Sequence, residues 1–140
     1  WTTGYVPRCS FEHSGRSTRA YYRDGNELVR DDVEDDQALV LNVEDKGLVV
    51  VAGCAHSGIV NTVRYAQEIT GVERIHAVLG GFHLARAEDD ELDQTIAAFK
   101  AWAPALISPS HCTGFGPICR FAAEMADVFV PGVVGVTYRF

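Results

Sequence analysis

Lysine is almost absent from this chain of 140 residues, which has Lys46 and Lys100 as its only lysines. Acidic side chains outnumber basic ones, and the formal net charge is -7. A protein that binds the phosphate backbone of DNA or RNA, or an anionic membrane surface, needs clustered positive charge. The composition therefore argues against both, and we expect neither a nucleic-acid partner nor a membrane partner.

The sequence also lacks an apolar run of about 18 residues, the length that a membrane-spanning helix requires. Its first residues contain no basic segment followed by an apolar core, so we predict no signal peptide and a cytoplasmic location. The chain does not begin with methionine. We therefore expect a fragment, a processed chain or part of a longer reading frame.

The cysteines form neither a zinc-ribbon pair nor a Cys-x-x-Cys motif, and the glycine-rich turns match no P-loop or dinucleotide-binding fingerprint. Reduced thiols are expected, and a thiol redox protein is the weakest functional alternative. Two cysteines nonetheless lie within two residues of a histidine, where a metal ligand and a small buried apolar residue are both open interpretations. These two are Cys54 and Cys112, and the others are Cys9 and Cys119.

What the chain does contain is one pattern that occurs three times: a short apolar run ends in a turn of small residues that carries a histidine. Such runs, bounded by Gly or Pro, are typical of buried strands. In α/β proteins the functional loops lie at the carboxyl ends of such strands, and imidazole is the commonest metal ligand. The pattern therefore predicts one site where the histidines converge. The runs are 48–52, 75–79 and 105–107, and they lead to His56, His83 and His111.

The order of the remaining segments predicts an α/β fold with a mixed sheet and flanking helices. Residues 1–33 are expected to form an irregular lead-in with one strand near 20–23, and residues 34–140 the α/β unit. A hairpin of 38–43 and 48–52 comes first, and helices then alternate with strands. The predicted helices are 57–70, 91–102 and 117–126, and the later strands are 75–79, 106–107, 128–130 and 133–138.

Each histidine also has a structural alternative. His56 and His111 lie among small residues that let a ligand approach, so we favour a metal or acid–base role over a helix cap or a turn hydrogen bond. His83 follows two glycines but is flanked by apolar residues, so core packing competes with metal or substrate contact. His76 lies inside a predicted strand and favours a structural role, and His13 favours a surface position.

A carboxylate is available from Asp35 and Asp36, which precede the predicted hairpin. Either can supply a metal ligand or accept a proton, and a solvated run of charges is the alternative. We take Asp36 as the candidate catalytic residue, which would orient the nucleophile or transfer a proton.

Taken together, these motifs resemble the metallo-β-lactamase superfamily. Within it, they resemble the branch of β-lactamase superfamily II metal-dependent hydrolases, also described as ribofuranosylaminobenzene-phosphate dihydropterin synthase-like proteins. The resemblance covers nearly the whole chain, and its most specific motif surrounds His56. The segments that carry it are Thr3-Gly4-Tyr5-Val6-Pro7-Arg8, Asp35-Asp36-Gln37-Ala38-Leu39, Gly53-Cys54-Ala55-His56-Ser57-Gly58-Ile59-Val60-Asn61-Thr62, Gly80-Gly81-Phe82-His83-Leu84, His111-Cys112-Thr113-Gly114 and Val130-Pro131-Gly132-Val133-Val134-Gly135.

The resemblance implies the C-terminal half of an αββα sandwich with one or two divalent metal ions between its sheets. Zinc is the usual ion, with manganese or iron as alternatives. The resemblance also maps the superfamily's late metal-binding histidine onto His111 and transfers a metal role to His56. His83 is the third candidate ligand. Asp36 lies where the superfamily often has its middle histidine.

The sequence departs from the superfamily in lacking the signature His-x-His-x-Asp-His, and with it the first sheet. We therefore expect a single partial domain over residues 1–140. It would expose an apolar sheet face larger than the few hundred Å² found on monomers. A complementary N-terminal half, or self-association, would cover that face.

Two functional hypotheses follow. In the first, the chain is a metal-dependent hydrolase, or half of one, whose histidine-bound metal activates water against an ester or phosphoester. Its substrate would be a small molecule, pterin-related according to the resemblance. In the second, the chain is a truncated, non-catalytic module that binds a metal or a partner. The upstream reading frame would distinguish them: a His-x-His-x-Asp-His motif encoded just before Trp1 would indicate an enzyme fragment, and a start codon there would favour the binding module or a split enzyme.

Overall fold

The computed structural model describes residues 1–12 and 20–140. Strands and helices alternate through most of this part of the chain, close to the predicted positions. The elements are β1 (Tyr21–Asp24), β2 (Glu27–Arg30), β3 (Ala38–Val43), β4 (Gly47–Ala52), α1 (Ile59–Thr70), β5 (Ile75–Gly81), α2 (Asp89–Trp102), β6 (Leu106–Ser110) and α3 (Phe115–Glu124).

The central sheet has the strand order β3-β4-β5-β6. β3 runs antiparallel to β4, whereas β4, β5 and β6 are parallel. A tight turn can join an antiparallel pair, but parallel strands need crossovers, which α1 and α2 provide. The prediction of a mixed α/β sheet is confirmed. Because β4, β5 and β6 are parallel, their carboxyl ends meet at one edge of the sheet.

The helices α1, α2 and α3 pack against one face of this sheet. Successive residues of β4 alternate between the two faces, so that Leu48 joins the helix-covered core and Val49 the opposite cluster. Three phenylalanines contact one another with ring centroids 5.2 to 5.6 Å apart: one lies directly after β5, one on α2 and one on α3. They are Phe82, Phe99 and Phe121, and their packing anchors the loop that follows β5.

The lead-in supplies the cap of α1. The Glu12 carboxylate accepts the backbone N–H groups of Val60 at 2.9 Å and Asn61 at 2.8 Å. These amides have no carbonyl partner within the helix, as at any helix N-terminus. Burial raises the pKa of Glu12 even though both amides oppose this. At the other end, Gly71 adopts a left-handed conformation with φ 69° and terminates the helix.

The opposite face of the sheet is covered in part by residues near the C-terminus. The Tyr138 side chain packs there, and its hydroxyl lies 2.7 Å from the hydroxyl of Ser108 on β6. Apolar side chains remain exposed on β3, where Leu39 and Leu41 are 48% and 44% accessible. The buried residues of this face are Val49, Ala77 and Leu79.

Each edge of the sheet carries an additional short segment. The first residues run antiparallel to β3, and the Thr3 N–H donates to the Ala38 carbonyl at 3.0 Å. At the opposite edge, the Ile107 N–H donates to the Val128 carbonyl at 2.8 Å. The Val130 N–H in turn donates to the Ile107 carbonyl at 2.9 Å. The backbone is therefore paired on the outer side at Ala38 and Val40 of β3 and at Ile107 of β6.

The structure differs from the prediction near both ends. The lead-in contains a β1–β2 hairpin where a single strand was expected, because Gly25 takes φ 57° and turns the chain back. The predicted strand at 133–138 is wrong, and the segment at 128–130 pairs with β6 through one bridge at Phe129. Apolar side chains favoured strands here, but Gly135 has φ 93°, and Tyr138 packs on the sheet face while Val133 and Val134 remain exposed.

Among the described residues, none of the helices has the length and apolar character needed to cross a membrane.

Candidate metal centre

Three loops meet at the carboxyl ends of β4, β5 and β6, and each contains a non-glycine residue in the left-handed region. Ala55 has φ 53°, and His83 and His111 both have φ 51°. Such conformations cost on the order of 1–3 kcal/mol each and cluster at functional sites. Their occurrence in all three loops supports a shared functional site at this edge.

Glycine lets these loops approach one another. The Gly81 N–H donates to the Gly53 carbonyl at 3.1 Å. A Cβ placed on Gly81 would lie 2.6 Å from the Gly53 oxygen and 2.7 Å from the Cys112 sulfur. Both separations are shorter than Cβ contacts allow, so a side chain at this position would force the loops apart.

Asp36, His56 and His83 form one set of potential ligands, which we call the aspartate–histidine group. The Asp36 Oδ2 accepts the His56 backbone N–H at 2.6 Å and lies 3.5 Å from the His56 Nδ1. The rings of His56 and His83 contact each other edge-on, with centroids 4.6 Å apart. The His56 Nδ1 is buried and has no hydrogen-bond partner in the described part of the chain.

The surroundings of His83 favour its neutral form. Burial lowers the pKa of His83 from 6.5, and the neighbouring His56 lowers it further. The Asp36 carboxylate opposes this shift, while Arg86 and His111 add to it. A neutral imidazole has a lone pair to offer, which is the form that binds metals.

Cys54, His111 and Cys112 form a second set, the cysteine–histidine group. Their ligand atoms all lie within 4.8 Å of one another, and the Cys54 sulfur is 3.4 Å from the His111 Nδ1. The Cys112 thiol also donates to the Cys54 carbonyl at 3.3 Å. Burial raises the pKa of Cys112 to about 11, with a contribution from Cys54, so the thiol is protonated at neutral pH in the metal-free chain.

Thr113 connects the loops of the two groups. Its side chain is fully buried, and its Oγ1 accepts the Phe82 backbone N–H at 3.0 Å. The same hydroxyl donates to the Ser110 carbonyl at 2.6 Å. The loop after β5, which carries His83, is thereby tied to the loop after β6, which carries His111.

The structure brings the predicted residues to one edge of the sheet but divides them between the two groups. His56 and His83 are in contact, whereas the His111 Nδ1 lies beside the Cys54 sulfur. His76 lies away from the site, against the Phe140 ring, with centroids 5.8 Å apart. His13 lies outside the described residues.

Neither Cys54 nor Cys112 was assigned to the site from the sequence. Their signal was present, since each lies within two residues of a candidate histidine in a turn of small residues. Spacing along the chain could not show that these thiols, separated by 58 positions, approach each other. That contact depends on the parallel pairing of β4, β5 and β6.

No family model matches the chain. It is 38% identical over 109 residues to the 7,8-dihydropterin-6-methyl-4-(beta-D-ribofuranosyl)-aminobenzene-5'-phosphate synthase of Methanocaldococcus jannaschii, a match that covers 78% of this chain and 37% of that protein. It is 37% identical over 136 residues to an uncharacterized protein of the same organism, covering 95% of this chain and 46% of that protein. The chain thus spans less than half the length of these curated relatives.

A solved structure is similar over almost the entire chain. The crystal structure of Tm1679, a metal-dependent hydrolase of the β-lactamase superfamily, matches with a TM-score of 0.82 and 29% sequence identity. The match covers 99% of this chain and 52% of that one.

Proposed function

We propose that this chain provides metal-binding residues of a metal-dependent hydrolase. Its fold corresponds to about half of a metallo-β-lactamase-superfamily hydrolase. The observation that carries the proposal is the convergence of His56, His83 and His111 on one sheet edge. The comparisons support the same class of protein, because the similar structure is a metal-dependent hydrolase.

The residues present fit a divalent metal. The buried His56 Nδ1, without a hydrogen-bond partner in the described part of the chain, is a nitrogen donor that a cation would satisfy. His83 adds a second imidazole and Asp36 a carboxylate next to it. Imidazole, carboxylate and thiolate are the donors that zinc prefers, so zinc is the proposed ion, with manganese or iron as alternatives.

A bound divalent ion would supply Lewis acidity and lower the pKa of a water molecule toward about 7. The Asp36 carboxylate accepts the His56 backbone N–H, which holds the loop that carries His56 in place. Its Oδ2 also lies 3.5 Å from the His56 Nδ1, so the carboxylate stands beside the nitrogen that would bind the ion. We therefore assign Asp36 a positioning role toward the His56 loop.

The substrate that we propose is a small molecule with an ester or phosphoester group. A relative is named as a synthase of a phosphorylated dihydropterin compound, which supports a pterin-related phosphate as the first class to test. Because the match covers 37% of that relative's length, the substrate of this chain is a separate question for experiment.

The test is elemental analysis of the chain purified without chelator, followed by hydrolysis assays on phosphoester and ester substrates. We expect one or two zinc, manganese or iron ions per chain, and reduced metal content in His56→Ala, His83→Ala and His111→Ala. His76→Ala is the matched control, since His76 lies on β5 away from the site and should leave the metal content unchanged. Wild-type stoichiometry in both His56→Ala and His111→Ala would contradict the assignment.

The exposed Leu39 and Leu41 side chains favour a second candidate, a non-catalytic module that binds a metal or a partner. The partner would be a complementary half that carries His-x-His-x-Asp-His, or a second copy of this chain. Metal binding without turnover, together with a solution mass above that of one chain, would support this candidate. A monomer that hydrolyses the substrate would rule it out.

A further inference from the structure

We propose that Cys54, His111 and Cys112 form a thiolate-containing metal site, which binds a thiophilic divalent cation such as Zn²⁺. The inference rests on the proposed function, because it adds sulfur ligands to the sheet edge where the histidines converge. It differs from the predicted ligand set, in which neither cysteine had a role.

The distances within the cysteine–histidine group suit a four-coordinate ion. With Zn–S bonds of about 2.3 Å and Zn–N bonds of about 2.0–2.1 Å, tetrahedral geometry separates neighbouring ligand atoms by about 3.5–3.8 Å. The Cys54 sulfur and the His111 Nδ1 are 3.4 Å apart, and the third ligand atom lies within 4.8 Å of both. Small side-chain rotations would bring these three atoms around one ion.

The local backbone is arranged around these side chains. Gly81 has no Cβ, which leaves the space that the Cys112 sulfur occupies beside the Cys54 backbone. His111 takes a left-handed conformation directly before Cys112, so the two consecutive residues both direct ligand atoms toward Cys54. A turn that holds consecutive ligands in a strained conformation is expected where the ligand geometry serves a function.

Exposure distinguishes these cysteines from the other two. Cys54 and Cys112 are half-buried, whereas Cys9 and Cys119 are exposed and lie in the lead-in and on α3. His111 is exposed, so the group is open to solvent on one side. An open side leaves the fourth coordination position free for water or substrate, as in catalytic zinc sites.

The donor chemistry predicts which ions bind. Soft thiolate ligands select zinc over manganese, which prefers carboxylate and water. The aspartate–histidine group, with nitrogen and oxygen donors, does not impose that preference as strongly. The cysteine–histidine group should therefore be the more selective of the two groups for zinc over manganese.

The experiment is a Co²⁺ titration of the full reduced chain, followed by absorption spectroscopy. Cobalt bound to thiolates gives an intense near-ultraviolet charge-transfer band, which cobalt bound only to nitrogen and oxygen lacks. We expect the band in the wild type and its loss in Cys54→Ala and in Cys112→Ala. Cys119→Ala is the matched control and should keep the band.

A second measurement does not depend on the folding of any variant. X-ray absorption of the zinc-loaded wild type should show metal–sulfur distances of about 2.3 Å. Bound cobalt without the band, or zinc without sulfur neighbours, would overturn the thiolate site and leave the histidine-based function intact. Failure to bind either ion would overturn both proposals. A band that disappears in Cys119→Ala would also refute this assignment.

Discussion

The two ligand groups at the carboxyl edge of the sheet differ in chemistry and in burial, although the same kind of loop builds both. The aspartate–histidine group is mostly buried and offers nitrogen and oxygen atoms. The cysteine–histidine group offers two sulfur atoms and one exposed imidazole. The parallel strands determine where the loops lie, and the residues within each loop determine which cation can bind.

The largest effect that separates the two groups is expected from Gly81→Ala. The new methyl group would lie 2.6 Å from the Gly53 oxygen and 2.7 Å from the Cys112 sulfur, so the loops must shift. We expect a loss of about 3 kcal/mol in the free energy of unfolding, at the upper end for overpacking. The intensity of the thiolate–cobalt band should fall by a larger factor than the affinity with which His56 and His83 bind metal. Denaturant unfolding and cobalt absorption measure both effects.

Gly116→Ala is the control for this substitution. Gly116 lies in α3, and a Cβ added there would meet no described atom within 4 Å. Because Gly116 lies in the first turn of α3 and directly precedes Pro117, whose ring crowds a preceding Cβ, alanine should change the free energy of unfolding by less than about 1 kcal/mol. If the two variants unfolded with equal free energies, the close approach at Gly81 would have no energetic importance.

A smaller effect, confined to the aspartate–histidine group, is expected from Asp36→Asn. The amide oxygen can still accept the His56 N–H, but the negative charge beside the His56 ring is lost. Loss of such an orienting carboxylate typically lowers metal affinity by about 10–100-fold. Zinc affinity should fall by this factor in a competition titration, while the thiolate–cobalt band should persist.

Asp35→Asn removes the same charge from the neighbouring residue and is the matched control. Asp35 is exposed, and the His56 contacts belong to Asp36. Zinc affinity should therefore stay near the wild-type value. An equal loss in both variants would indicate a general charge effect and remove the positioning role of Asp36.

The smallest effect concerns the pH dependence of stability in the metal-free chain. The pKa of His83 is lowered by burial and by His56, whereas a histidine in the unfolded chain has a pKa of about 6.5. Between these two values the unfolded chain binds more protons, so the free energy of unfolding falls as the pH decreases from 6.5. His83→Gln should make this slope shallower in unfolding curves recorded in chelator. An unchanged slope would show that His83 is not the group responsible.

Hydrophobic patterning was sufficient to predict the central sheet and the helices. The apolar run of β4 and the amphipathic face of α1 were identified from the sequence, because burial imposes their periods. The same reasoning predicted a strand at 133–138 that does not exist. Tyr138 packs on the sheet face, whereas Val133, Val134 and Val136 are exposed, so the apolar pattern of this segment did not correspond to strand pairing.

The candidate site was predictable in position but not in its internal arrangement. The histidine turns after β4, β5 and β6 placed the site, since the ends of parallel strands must meet at one edge. The contact of His56 with His83, and that of Cys54 with His111, depend on side-chain rotamers and on backbone angles at His83 and His111. The spacing of residues along a sequence carries no information about these angles.

The short segments that flank the sheet have a consequence for aggregation. An unpaired edge strand is a template on which another chain can add its own strand. Here residues 1–3 pair with β3, and the Val128 and Val130 backbone pairs with β6, so both outer strands already have hydrogen-bond partners. Another copy would have to displace these segments before it could extend the sheet into a fibre. Contact between chains is therefore directed toward side chains such as Leu39 and Leu41.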